Sequence, residues 1–334
     1  MLPGVIEWGI DILPLLLLYA ILTSALNIQF GYGGIINFGV VAFFMVGAYT
    51  AALLTLPPPS SFESHILGLE LPVPVGWLAG IVAALVLVVL VALPVVRLRE
   101  DFLAIVTIGV AEILRTVANG ADGFVNRSQG LIGIPQPLRG LTDDPDIYRW
   151  VEIGVMGAIL LAVVGIGYAI STSPWGRVLR SVRDNEQTAV ASGKRATLLR
   201  LQAFAIGAAV MGLAGAVYAG QLRTIGPEAF HDLNFTFLVW TLLIVGGSGR
   251  MLGAVVGALL VGVLWYGVNL VQSYLPQIES QYVLALRQFL IGAIIILFVT
   301  FRPQGLIPER ATASRFLKRV RPRGDEGAVE PGDG

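Results

Sequence analysis

Residues 75–96 read VGWLAGIVAALVLVVLVALPVV, 22 positions without a single charge. A helix of about 20 apolar residues matches the thickness of a bilayer core, and no soluble domain needs such a run. Eight further apolar segments accompany it, at 11–29, 35–56, 101–118, 151–170, 201–219, 235–247, 251–271 and 283–301. In a bilayer the backbone must satisfy its own hydrogen bonds, so runs of this kind are helices. The chain is therefore expected to be an all-α integral membrane protein, a polytopic bundle of about nine (eight to ten) transmembrane helices. Only 13% of its 334 residues are charged, against about 25% in soluble domains. Two segments fall short of a full crossing: 235–247 (FTFLVWTLLIVGG), and 101–118, which carries Glu112 and Arg115.

The remaining charge is unevenly placed. Sixteen Lys and Arg fall in alternate loops and the C-terminal tail, four fall in the loops on the other side, and Arg115 and Arg287 lie within spans. The positive-inside rule then puts the N-terminus outside and the C-terminus in the cytoplasm. The start, MLPGVIEWGIDILPLLLL, lacks a basic n-region and reads as a retained span. Residues 1–302 form the expected membrane domain. Residues 303–334 turn polar and rich in Gly and Pro, as a mostly disordered tail does; its basic part suits contact with anionic lipid. Zero net charge gives no footprint for nucleic acid. There is no cysteine, and His65 and His231 lie in loops, so thiol chemistry is excluded and a histidine metal site is not expected.

One stretch breaks the apolar pattern. Residues 171–200 read STSPWGRVLRSVRDNEQTAVASGKRATLLR. Each Arg at a bilayer centre costs about 2.5–3.5 kcal/mol, so this loop stays outside the membrane. It is still built as a helix or a helix pair. Ser173 is placed to cap the N-terminus, Pro174 suits the first helical position, and Gly193 suits a left-handed C-terminal cap. Val178, Leu179, Val182 and Ala189 share one face, and Arg180, Arg183, Asp184 and Gln187 point elsewhere. A helix that only floats on lipid favours bases without acids; here Asp184 and Glu186 are interleaved with them, which suits a protein groove better.

The stretch RDNEQTAVASG resembles the cytoplasmic signature of bacterial ABC importer permeases, most closely those of the branched-chain amino acid (LivM) type. The residues that match are Ser173, Pro174, Gly176, Arg177, Arg183, Asn185, Glu186, Ala189 and Gly193, with the acid Asp184 among them and Thr188 standing where the family commonly has Ala. GYGGIINFGVVAFFMVGAYTA (31–51), GLIGIP (130–135), LIVGGSGRMLGAVVGALL (243–260) and FRPQGLIPER (301–310) extend the resemblance over nearly the whole chain. Val40–Val41 depart from it, where the family often has a small or polar pair. The resemblance implies a permease subunit whose 171–200 loop inserts into an ATPase. It implies ATPase subunits, a second and related permease chain, and an extracytoplasmic substrate-binding protein as partners. ATP and magnesium would be held by the ATPase, and this chain would hold no cofactor. Accordingly no G-x-x-x-x-G-K-[ST] occurs in it. Branched-chain or related aliphatic amino acids are the implied cargo, with urea or short amides as the alternative within the family.

For the path of such a cargo, short or interrupted segments are the first candidates. The polar residues near them are Asn27, Asn37, Thr107, Glu112 and Thr241. Glu112 with Arg115 reads equally as a structural pair. Gly249, Gly253 and Gly257, four apart, predict a bare helix face for close packing, and Gly212 and Gly215 another. Asp143, Asp144 and Asp146 in the 119–150 loop read either as a docking surface or as a solvated turn. Two other classes would show different residues. An ion-coupled carrier should show carboxylates paired deep in several spans, and only Glu112 qualifies. A membrane enzyme should show a nucleophile or zinc motif, and neither G-x-S-x-G nor H-E-x-x-H is present.

Overall fold

The computed structural model describes residues 2–59, 65–95, 100–120, 125–126, 129–142, 144–274 and 280–309. The chain is an all-α membrane protein. Its helices are α1 (Leu2–Leu26), α2 (Val40–Thr55), α3 (Val73–Val95), α4 (Glu100–Gly120), α5 (Pro145–Thr172), α6 (Pro174–Asp184), α7 (Glu186–Ala191), α8 (Ala196–Leu222), α9 (Leu238–Gly246), α10 (Met251–Tyr274) and α11 (Ser280–Phe301). Among the described residues, eight helical runs are long and apolar enough to cross a membrane, and α2 is a shorter apolar helix.

Two spans are interrupted, and they divide differently from the sequence expectation. The run expected at 35–56 is helical only from Val40. Before it, α1 passes into a π-turn at Asn27–Tyr32 and residues 34–39 belong to no helix or strand. Glycine explains the turn: Gly34 has φ +69°, which costs a side-chain-bearing residue strain. The short 235–247 segment is longer than expected, because a 3-10 turn (Pro227–Ala229) and a π-turn (Leu233–Phe237) lead into α9 and complete a run of 20 residues. The marginal 101–118 segment is a full helix of 21 residues.

Close approach at glycine holds the centre together. α8 packs on both α2 and α3. A Cβ on Gly212 would lie 2.7 Å from the Gly80 carbonyl, and one on Gly80 would lie 3.0 Å from the Gly47 carbonyl, so these backbones nearly touch. Of the glycines expected on one helix face, at 249, 253 and 257, two lie on α10. Gly253 and Gly257 pack against α9, with Cβ positions 2.9 Å from the Gly246 carbonyl and 2.7 Å from the Gly246 Cα. Gly249 lies before α10, in a turn, at φ +87°. Helical spacing cannot separate a helix's first glycine from one in the turn that precedes it.

The two ends of the bundle differ. At one end α6, α7, the π-turn of α1 and residues 302–309 are gathered. At the other, β1 (Leu131–Ile132) pairs antiparallel with β2 (Thr224–Ile225). Residues 303–309, expected as the start of a loose tail, fold back: the Leu306 N–H donates to the Val245 carbonyl (2.8 Å) and the Ile307 N–H to the Gly246 carbonyl (3.0 Å). Residues 310–334, with the tail's basic cluster, lie outside the described residues, as do Arg97, Arg99, Arg127 and Asp143. Asp144 caps α5, accepting from the Asp146 N–H (2.9 Å). Arg287 lies over the Trp265 and Tyr266 rings, 5.3 and 5.9 Å from their centroids.

Gly212→Ala should destabilise the detergent-purified protein by about 1–3 kcal/mol, the usual cost of overpacking. Gly157→Ala, whose Cβ would meet nothing within 4 Å, should leave the midpoint of thermal unfolding unchanged. Equal midpoints for the two variants would show that the α3–α8 contact is not tight.

Candidate functional site: a broken span and the loop beneath it

A non-helical stretch inside a membrane survives only where protein groups satisfy its backbone. Several backbone groups of residues 34–39 have such partners. The Gly34 N–H donates to the Phe30 carbonyl (2.9 Å) and the Ile35 N–H to the Gln29 carbonyl (3.0 Å). The Phe38 N–H donates to Thr107 Oγ1 (3.1 Å). The Gly39 N–H donates to Asn37 Oδ1 (2.8 Å). The Asn37 carbonyl accepts from Trp240 Nε1 (2.9 Å). Asn37 Nδ2 donates to Gln29 Oε1 (2.8 Å), and Gln29 Nε2 in turn donates to the Phe204 carbonyl (2.9 Å). Gln29, Asn37, Thr107 and Thr236 are all fully or almost fully buried. The two interrupted spans thus meet at Asn37–Trp240, and again where the Val41 N–H approaches Thr236 Oγ1 at 3.4 Å. Phe38 stacks on Trp240, with ring centroids 5.0 Å apart.

The five polar candidates therefore separate. Asn37 and Thr107 belong to this junction, and their polar atoms are engaged in holding backbone. Thr241 donates to the Phe237 carbonyl of its own span (2.8 Å). Asn27 sits at the bundle end, where its Oδ1 accepts from the Gly249 N–H (2.8 Å). Glu112 is half-exposed on α4 and forms a fork with Arg115, with contacts of 2.8 and 3.1 Å. These five do not line one channel. Gln29, Thr236 and Trp240 are junction residues that sequence reading passed over. A Gln closing an otherwise apolar run was the available signal. Val40 and Val41 are both buried where α2 begins.

The 171–200 loop folds as two capped helices. Ser173 Oγ accepts from the Gly176 N–H (3.0 Å) with Pro174 in the first turn of α6. Asn185 separates the two helices and caps α7, its Oδ1 accepting from the Thr188 N–H (2.9 Å). Gly193 adopts φ +76°, as a left-handed cap requires. Gly176, Leu179, Val182 and Ala189 face inward and are buried, and Val178 is only partly so. Arg177 and Arg180 bond the end of α5, donating to the Thr172 carbonyl (3.0 Å) and the Ser171 carbonyl (2.8 Å). Glu186 pairs with Arg200 at 2.8 Å. Asp184, Asn185, Gln187, Thr188 and Val190 remain exposed.

Arg183 is the exception on this loop, because it turns inward. Its Nη1 donates to the Gly31 carbonyl, its Nη2 lies 2.9 Å from Glu309 Oε2, and its Nε lies 3.0 Å from Asp184 Oδ1. Burial would lower the basicity of this guanidinium, but Glu309 and Asp184 outweigh it and raise the pKa above its ordinary value.

Residues 10–299 match the family described as "Branched-chain amino acid transport system / permease component". The chain belongs to this family. It is 28% identical to the high-affinity branched-chain amino acid transport system permease protein LivM of Salmonella typhimurium, over 90% of this chain and 70% of the relative. It is 27% identical to the probable LivM of Methanocaldococcus jannaschii, over 93% of this chain and 97% of the relative. A ribose import permease, RbsC of Bacillus subtilis, is 28% identical over 34% of this chain and 36% of its own length. No solved structure matches the chain.

Thr107→Val keeps the shape of the side chain but leaves the Phe38 N–H buried without a partner, which should cost about 1–3 kcal/mol. Thr107→Ser should cost far less. Thermal unfolding of the two purified variants checks this, and equal midpoints would show that the Phe38 bond contributes nothing.

Proposed function

We propose that this chain is the membrane-spanning subunit of an ATP-driven importer for branched-chain or related aliphatic amino acids. The observation that carries the reading is the α6–α7 pair. It lies outside the spans, is capped at each helix start, is fixed to the bundle by its apolar face, and presents a mixed-charge face. A rigid element of that form suits a groove on a second protein. Two ATPase subunits would hold the ATP and magnesium, and their change of shape would reach the membrane through α6 and α7. A second permease chain, related and not identical, would complete the membrane unit, and an extracytoplasmic binding protein would deliver the cargo. In this reading the N-terminus faces outward and the α6–α7 end faces the cytoplasm of a bacterial-type inner membrane, in keeping with the distribution of Lys and Arg.

The branched-chain amino acid substrate is supported by the relatives' names. The broken span at 34–39, meeting the interrupted span at Trp240, is the proposed moving part of the path, since discontinuous helices are where transporters build their sites. In the conformation described, its polar groups bind each other.

Affinity purification of the tagged chain from its native host in mild detergent should recover an ATPase. Gln187→Arg combined with Val190→Asp changes two exposed side chains of α7 and should reduce that recovery by roughly tenfold, a loss of about 1.4 kcal/mol of binding. A wild-type complex without any ATPase would refute the importer reading. Uptake of leucine, valine and urea by the reconstituted complex then separates the two cargo classes.

A further inference from the structure

Three pieces of chain meet at the guanidinium of Arg183, and a fourth packs against its partner Glu309. The first is α6, which carries it. The second is the π-turn of α1, whose Gly31 carbonyl it binds. The third is the C-terminal segment, through Glu309 at 2.9 Å. The fourth is the turn before α10: a Cβ on Gly249 would sit 2.7 Å from Glu309 Oε2, and the Gly249 N–H binds Asn27 in the π-turn. Glycine makes the fit tight. A Cβ on Gly34, at the start of the non-helical segment, would lie 2.9 Å from Arg183 Cγ.

Each arm of Arg183 leads to one interrupted span. The Gly31 arm leads into residues 34–39. The Glu309 arm leads through Leu306 and Ile307, which are hydrogen-bonded to the last carbonyls of α9. The same two spans also meet at Asn37 and Trp240. One side chain thus holds the inner ends of both, and its own helix is anchored by the wholly buried Leu179 and Val182. An Arg suits this position because its planar fork presents five donors in fixed directions. A Lys offers a compact charge that can hold Glu309 but not all the partners at once.

We propose that Arg183 is a positioning residue that makes α6, residues 31–39 and the end of α9 move as one body, so that displacement of the α6–α7 pair reaches the broken span. This rests on the importer reading above. Its side chain is turned away from the exposed docking face and works through the Gly31 carbonyl and Glu309.

Spin labels on engineered cysteines give the test, in the complete complex with its ATPase. The chain has no native cysteine, so it is labelled only where cysteine is introduced, and partner subunits are used with their own cysteines replaced. The pair Ser181→Cys and Leu306→Cys reports within the tied body. The pair Ser181→Cys and Ile132→Cys reports from α6 to the opposite end of the bundle. On adding ATP to the wild-type background, the first distance should stay fixed and the second should change. In Arg183→Gln the first distance should change too, and leucine transported per ATP hydrolysed should fall by about fivefold or more, the low end of typical coupling between sites. Arg183→Lys should recover part of that ratio. An unchanged first distance and an unchanged ratio in Arg183→Gln would overturn the proposal. Should Arg183→Gln fail to assemble, Glu309→Ala decides it by the same two readouts. A wild-type complex that lacks an ATPase overturns the importer reading itself, and is recognised before any variant is made.

Discussion

A peptide group inside a bilayer has no water to bond with, and each one left unpaired costs several kcal/mol. Residues 34–39 place consecutive non-helical peptides between α4, α8 and α9, and much of the surrounding structure is arranged to satisfy them. Thr107 on α4, Trp240 on α9 and Gln29 at the end of α1 each direct a polar atom to this segment or to Asn37 within it. The π-turn at Asn27–Tyr32 belongs to the same arrangement, because the Gln29 and Phe30 carbonyls receive the first N–H groups of the non-helical stretch. A helix would have satisfied these groups at no such expense. Where a broken span persists in lipid, its irregular backbone commonly serves a purpose that a continuous helix cannot.

Lipid tails are as apolar as leucine, so helix association in a membrane depends on close packing and on polar contacts across helices. Both occur here in separate zones. Gly47, Gly80 and Gly212 bring α2, α3 and α8 into backbone contact, with no side chain between them. The Asn37 junction lies beside that trio and is polar.

The membrane class, the number of spans and the helical loop at 171–200 were legible because each depends on local signals: apolar length, Ser173 and Pro174 at a helix start, Gly193 after a helix end. The break was legible only as a glycine-rich approach to α2. What composition cannot show is which groups meet across the bundle. Asn37 was visible as a polar residue near the break, but its bond to Gln29 and its contact with Trp240 join residues far apart in the chain or hidden in an apolar run. Glu112 drew notice as a charge within a span, and its partner Arg115 is one turn away, so it has no need of a distant one. Glu309 was assigned to a tail because the Gly and Pro around it read as disorder. Those residues instead turn the chain back beneath α9. Gly249 was assigned to a helix face by spacing alone.

The closure of α9 has a consequence for how the molecule is made. A helix ends with carbonyls that its own turns cannot satisfy, and those of Val245 and Gly246 are bonded by Leu306 and Ile307. Those two residues are synthesised only after α10 and α11. Until then α9 carries open acceptors and Arg183 lacks Glu309, so the junction at Asn37 forms on an unfastened base. That end of the bundle is thus completed by the last segment of the described chain, and a ribosome that stalls after α11 would leave the spans without the bonds that close α9 and pair Arg183 with Glu309.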